Sequence, residues 1–245
     1  MSGILRVRKL SAVLLVAWVA FAGLPTATAK AKKTPTLRWT RGAPGCTFAY
    51  RDDGNYYYSL TTVDYDVTLR VDSQELSKVH HRIEPFFSVL VDVHYHGRGT
   101  LPIDPSGASL EFVRHHNVIR RAGDPEGLSL RTQNDVEQVE FDTEREIKNH
   151  PERKDERERY LQTYKKEVTD LQDFLSRHML SAAELSPANA EGSGWILFST
   201  RNKWIGSWKT PEAFILRLPI NQLVLEFPFA LPPDQDDVEL RRRPE

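Results

Sequence analysis

The chain has 245 residues, 40% of them apolar and 27% charged, with 33 basic residues against 34 acidic ones. That length allows one elaborated domain or two small ones, and the composition excludes wholesale disorder. The near-neutral balance excludes a general nucleic-acid binder, and a single cysteine, Cys46, excludes an internal disulfide.

Residues 1–29 read as a secretory signal peptide. Arg6, Arg8 and Lys9 form a basic start, Leu10 to Leu24 is apolar, Pro25 breaks the run, and Ala27-Thr28-Ala29 supplies small residues for cleavage. An uncleaved anchor is the alternative, but the apolar run falls short of the ~20 residues a span needs. No later stretch is apolar for long enough to cross a bilayer. The mature chain is therefore expected to be soluble and extracytoplasmic, in a periplasm or secreted. Losing three basic residues leaves 30 against 34 acidic ones, a net charge of −4. In such a chain burial must stabilise the fold, with Cys46 a buried small residue or the source of an intermolecular disulfide.

Residues 30–45 are basic and contain proline and glycine, and read as a tether. Residues 46–133 read as the first part of a β domain. Asp53-Gly54, just before Tyr56-Tyr57-Tyr58, predicts a tight turn between strands. Thr61 to Val71 alternates with strict period two, and residues 72–82 suit a short helix or loop. The next strand runs from Phe86 to His96. Phe87, Val89, Val91, Val93 and Tyr95 share one face, and Phe86, Ser88, Leu90, Asp92, His94 and His96 the other. Two short strands, Leu110 to Val113 and Asn117 to Ile119, flank His115-His116.

The period then changes. Residues 134–182 read as a helical hairpin. Asp135 to Asn149 forms the first helix, with Val136, Val139 and Ile147 as sparse apolar points. Pro151 to Ser181 forms the second, about 45 Å long at 1.5 Å per residue. Its Leu161, Tyr164, Val168, Leu171 and Leu175 recur at alternating threes and fours, a single apolar stripe, while Glu152 to Arg159 is charged throughout. Residues 183–233 return to β structure. Ser186 to Gly194 reads as a loop, followed by strands at Trp195–Phe198, Ala213–Leu218 and Leu223–Phe227, with Pro228 ending regular structure. Residues 234–245 read as a flexible tail. The expected class is mainly β with an α insertion: an antiparallel β-sandwich carrying an inserted helical hairpin.

Phe87-Ser-Val-Leu-Val-Asp-Val93, followed after a turn by Pro105-Ser-Gly-Ala-Ser-Leu-Glu-Phe112, resembles the first half of the DUF4352-like, telokin-like secreted bacterial domains. Gly194-Trp-Ile-Leu-Phe198 and Phe214-Ile-Leu-Arg-Leu218 are similar to their second half. The resemblance implies an immunoglobulin-like sandwich and a mostly non-enzymatic accessory role, and it transfers no functional residue. The helical insertion and the Trp204 to Trp208 segment depart from that pattern.

Chemistry-bearing constellations are few. Asp92, His94 and His96 share one strand face, and with His115 or His116 they form a donor set suited to Zn or Cu. The competing reading is a solvated strand face. Asp52, Asp53, Asp64 and Asp66 offer oxygen ligands without the spacing of a calcium loop. No nucleophile elbow, metalloprotease helix or phosphate-binding loop occurs, so no catalytic residue is assigned. Trp195, Trp204 and Trp208 are either core or a contact surface. The stripe through Leu161, Tyr164, Val168 and Leu171 either packs within the chain or forms a seam for a partner. The expected function is a non-catalytic protein-interaction or accessory module that meets an envelope or secreted protein; the alternative is a metal-binding protein.

Overall fold

Residues 86–95 form the longest strand among the described residues, with eight of its ten residues buried. The computed structural model describes residues 34–51, 53–72, 86–199 and 212–231. In chain order the strands are β1 (Thr36–Arg38), β2 (Cys46–Tyr50), β3 (Asn55–Thr61), β4 (Tyr65–Asp72), β5 (Phe86–Tyr95), β6 (Leu101–Ile103), β7 (Ser109–Phe112) and β8 (Val118–Arg121). Helices α1 (Pro125–Asn149) and α2 (Lys154–His178) follow, then β9 (Ala183–Leu185), β10 (Glu191–Ser199), β11 (Glu212–Ile220) and β12 (Leu223–Leu231).

The strands make two sheets. One runs β10-β5-β4-β3-β2, antiparallel throughout. The other runs β1-β12-β11, after which β11 pairs with both β6 and β7, and β9 and β8 extend those two. Its only parallel ladder among the described residues joins β1 to β12. One buried cluster draws on both sheets: Val67, Leu69, Phe87, Val89, Val91 and Phe198 from the first, Leu110, Phe112, Phe214, Leu216, Leu225 and Phe227 from the second. Phe87 sits at its centre, 4.8 Å between ring centroids from Phe214. Strands β4, β11 and β12 alternate buried and partly exposed residues, as period-two patterning requires, while most of β5 is buried on both faces.

Several boundaries depart from the sequence reading for local reasons. The expected strand from Thr61 is split by a turn at residues 62–64. The Thr62 hydroxyl donates to the Tyr65 carbonyl at 2.7 Å and accepts from the Tyr65 N–H at 3.1 Å, leaving Val63 90% exposed. Pro228 does not end β12, which continues to Leu231. The Val224 N–H donates to Pro35 and the Glu226 carbonyl accepts from Trp39, so even-numbered residues of β12 face β1. Residue 228 faces the same way, past the end of β1, where no donor is needed. Thr36–Arg38, within the segment read as a tether, pairs along β12. Residues 191–194, read as loop, are the first part of β10. At Gly194 the chain leaving α2 crosses so closely that a Cβ would lie 2.4 Å from the Leu180 nitrogen.

α1 begins ten residues earlier than its apolar points suggest. Asp124 caps it, accepting from the Glu126 and Gly127 N–H groups, and Pro125 occupies the first turn. α2 ends at His178, short of Ser181. The two helices run antiparallel, with Gln133 meeting Gln172, Glu140 meeting Lys165, and Glu146 meeting Arg157 at 2.6 Å. Their base closes a second buried cluster: Leu128, Leu171 and Leu175 cover Phe86 and Leu197 on the outer face of the β5–β10 pair. No helix among the described residues is long and apolar enough to cross a membrane.

Candidate functional site

A concavity opens where the hairpin leaves the sheet. Its floor follows the outer side of β10, with Trp195 and Ile196 beside Ala122, Met179 and Leu180. One wall is helical: Leu130, Gln133, Gln172, Leu175 and Ser176. The rim is formed by two Asp-Pro steps, Asp104-Pro105 and Asp124-Pro125, together with Glu126. The groove encloses about 1070 Å³, at the upper end of what a ligand or short peptide segment occupies.

Each part follows from local sequence. Asp104 and Asp124 stand at the starts of helical turns because their carboxylates accept the otherwise orphaned N–H groups there. The Ser106 hydroxyl and then its N–H hold the Asp104 carboxyl below the ordinary carboxylate range. The lining contains three carboxylates and no Lys, Arg or His. Leu130 is 65% exposed at the edge of the helical wall, an apolar side chain with open surface beside it. Trp195 is half-buried on the floor, packed against Phe174 at 6.2 Å and crossed by the Arg70 guanidinium at 5.8 Å. One part of the side chain is packed and another lines the groove. The arrangement can hold an apolar group and neutralise a cation beside it.

Asp92 and His94 lie on the outer face of β5, and His96 follows just past its end. The Asp92 carboxylate accepts a hydrogen bond from the Ser193 hydroxyl. His94 Nδ1 is 3.9 Å from Glu191, His96 Nδ1 is 3.9 Å from Asp66, and the two rings are 6.4 Å apart. His115 and His116 belong to the β7–β8 turn, in the other sheet. His115 Nε2 lies 3.0 Å from Glu212. His116 and Asn117 both have φ of 55°, the backbone of a tight hairpin turn. The structure thus brings Asp66 and Glu191 to the β5 histidines rather than His115 or His116. Among the described residues no three His, Cys, Asp or Glu side chains converge as a metal-holding group.

Val168 and Leu171 are buried, and Leu161 and Tyr164 half-buried, along the α2 stripe where it meets α1 and the sheet. Trp204, Trp208 and the segment 1–29 read as a signal peptide lie outside the described residues. The groove residues Asp104, Asp124, Glu126 and Leu130 escaped sequence reading. The two Asp-Pro steps were the available signal, since Asp followed by Pro marks a capped first turn. Comparison with family models, curated proteins and solved structures finds no match.

Proposed function

We propose that this protein is an extracytoplasmic, non-catalytic β-sandwich that works as a protein-interaction module, with the groove at the base of its hairpin as the working surface. The occupant is a segment of another envelope or secreted protein that combines apolar side chains with lysine or arginine. The observation that carries this is the lining: an apolar floor, three carboxylates and no basic residue. Charge complementarity of this kind selects partners and speeds their encounter.

The immunoglobulin-like form of the sandwich is part of the same proposal, and with it the telokin-like resemblance. In chain order β5, β7, β10, β11 and β12 pair as the B, C, E, F and G strands of such a fold do: β5 with β10, β7 with β11, and β11 with β12. On that assignment the hairpin is an insertion between the C-side strands and E.

The test uses fluorescent peptides of equal apolar content, one rich in lysine and one rich in glutamate. The lysine-rich peptide should bind the wild-type chain. The Leu130→Lys/Gln172→Lys variant should weaken it at least tenfold, about 1.4 kcal/mol. Equal binding of the two peptides, or indifference to the double substitution, would refute the groove as the working surface.

A further inference from the structure

We propose that β2 is a self-pairing edge through which two copies of the chain join antiparallel, about a twofold axis at Phe48. The observation behind this is a contrast among the sheet edges. β1 and β9 are three residues long and carry Arg38 and Glu184. β8 ends in Arg120-Arg121. The outer side of β10 is occupied by main chain, the Leu180 N–H donating to Trp195 at 2.9 Å and the Gly123 N–H to Leu197 at 2.7 Å. These are the usual ways of blunting an edge: short length, charge and cover. β2 has none of them. It is five residues, Cys-Thr-Phe-Ala-Tyr, without charge or proline, and among the described residues it pairs only with β3.

Its hydrogen-bonding phase is readable. The Gly45 carbonyl accepts from Thr61 at 2.8 Å and the Arg51 N–H donates to Asn55 at 3.2 Å. Odd-numbered residues therefore face β3, and the main-chain groups of Phe48 and Tyr50 face outward. An antiparallel copy centred on Phe48 uses all of these but the Tyr50 carbonyl, since the Cys46 N–H that would meet it already donates to Ala43 at 3.0 Å. Each Phe48 N–H meets the other Phe48 carbonyl, and each Tyr50 N–H meets the carbonyl of the other Cys46. Thr47 then stands across from Ala49 in the close, non-hydrogen-bonded pairs.

An identical partner fits for two reasons. The strand's own five side chains are uncharged and bring no like charges together in the twofold image, and Arg41 is held over the Phe48 ring of its own chain at 5.7 Å. The side chains of Phe48 and Tyr50 also continue a row already built within the chain, Phe48 lying 5.0 Å from Tyr58 and Tyr50 lying 5.1 Å from Tyr56. Tyr50 is 51% exposed at the open end of that row, and in this register it stands across from the second copy's Cys46 and diagonal to its Phe48, whose ring is within reach to cover it.

The experiment is sedimentation equilibrium of the full chain under reducing conditions, over a range of concentrations. The wild type should rise toward twice the monomer mass. Thr47→Lys/Ala49→Lys and Thr47→Glu/Ala49→Glu alter only exposed side chains, and each alone should stay at monomer mass, because like charges face each other across the axis. Mixing the two in equal amounts should restore the dimer mass. Tyr50→Pro, which removes an outward N–H and spares the β3 ladder, should also be monomeric, with circular dichroism confirming that every variant is folded. A wild type that stays monomeric, an equimolar mixture that fails to pair, or a dimer that disappears on reduction and so depends on a Cys46 disulfide would overturn the proposal. Groove-binding peptides report on a different surface, so the two proposals fail separately.

Discussion

Asp53 shows how much a turn can load onto one carboxylate. It accepts the Tyr57 hydroxyl at 2.6 Å and the Asn55 N–H at 3.0 Å. The hydrogen bond from Tyr57, first, and that from Asn55 lower its pKa from the ordinary 3.8 to about 2. Tyr57 moves the other way, pushed up by burial and by the same hydrogen bond. A carboxyl depressed on folding contributes stability above its unfolded pKa and loses it as pH falls through the folded one. That contribution should therefore be complete above about pH 4 and vanish toward pH 2, and Tyr57→Phe should remove most of it. Carboxyl titration by NMR would decide: Asp53 titrating near its ordinary value in the wild type would refute the assignment. The Asp53-Gly54 turn was legible in the sequence because the residue types specify the backbone, Gly54 taking φ of 82°. The bond to Tyr57 was not, because the partner lies across the turn on the next strand.

At the scale of elements, the hairpin divides into a base and a tip. Leu171 is fully buried between α2 and the β5–β10 pair, whereas Leu161 is half-buried farther along. Leu171→Ala should cost about 2–5 kcal/mol, as a core truncation does, and Leu161→Ala distinctly less. Denaturant midpoints of the two variants measure this, and equal costs would mean that the whole stripe is packed alike. The stripe itself was legible from its spacing of threes and fours. Its direction was not, because an apolar stripe satisfies any apolar surface, whether on α1, a sheet or a second chain. Helix α1 was read too short for a related reason. Its first ten residues carry only Leu128 and Leu130 as large apolar groups, and what starts the helix is the Asp124 cap. Strand β12 was also read too short, since Pro228 disqualifies a residue only where its nitrogen must donate.

For the whole molecule, the shared core between the sheets is the main source of stability. Phe87, on the first sheet, reaches rings of the second, with Phe112 at 6.3 Å and Phe229 at 6.2 Å. Phe87→Ala should therefore destabilise the fold by about 3–5 kcal/mol, while Ile119→Ala, 56% exposed, should stay within about 0.5 kcal/mol. Thermal unfolding followed by tryptophan fluorescence and by circular dichroism tests both, and coincident transitions would show that the sheets unfold together. The groove is also a property at this scale. It needs two helix starts, the exit of α2 and the outer side of β10, four pieces of chain far apart in sequence.

Period and residue type acted locally, and they settled what is local. The alternation in β4, β11 and β12, the strand at β5, the helical stretch between two β regions and the turn at Asp53-Gly54 were all readable from neighbouring residues. Pairing was different. That His94 meets Glu191 and not His115, that β1 runs parallel to β12, and that Leu171 covers Phe86 all depend on which surfaces the core brings together. Such choices are made by burial summed over the whole chain, a quantity no short window of sequence contains.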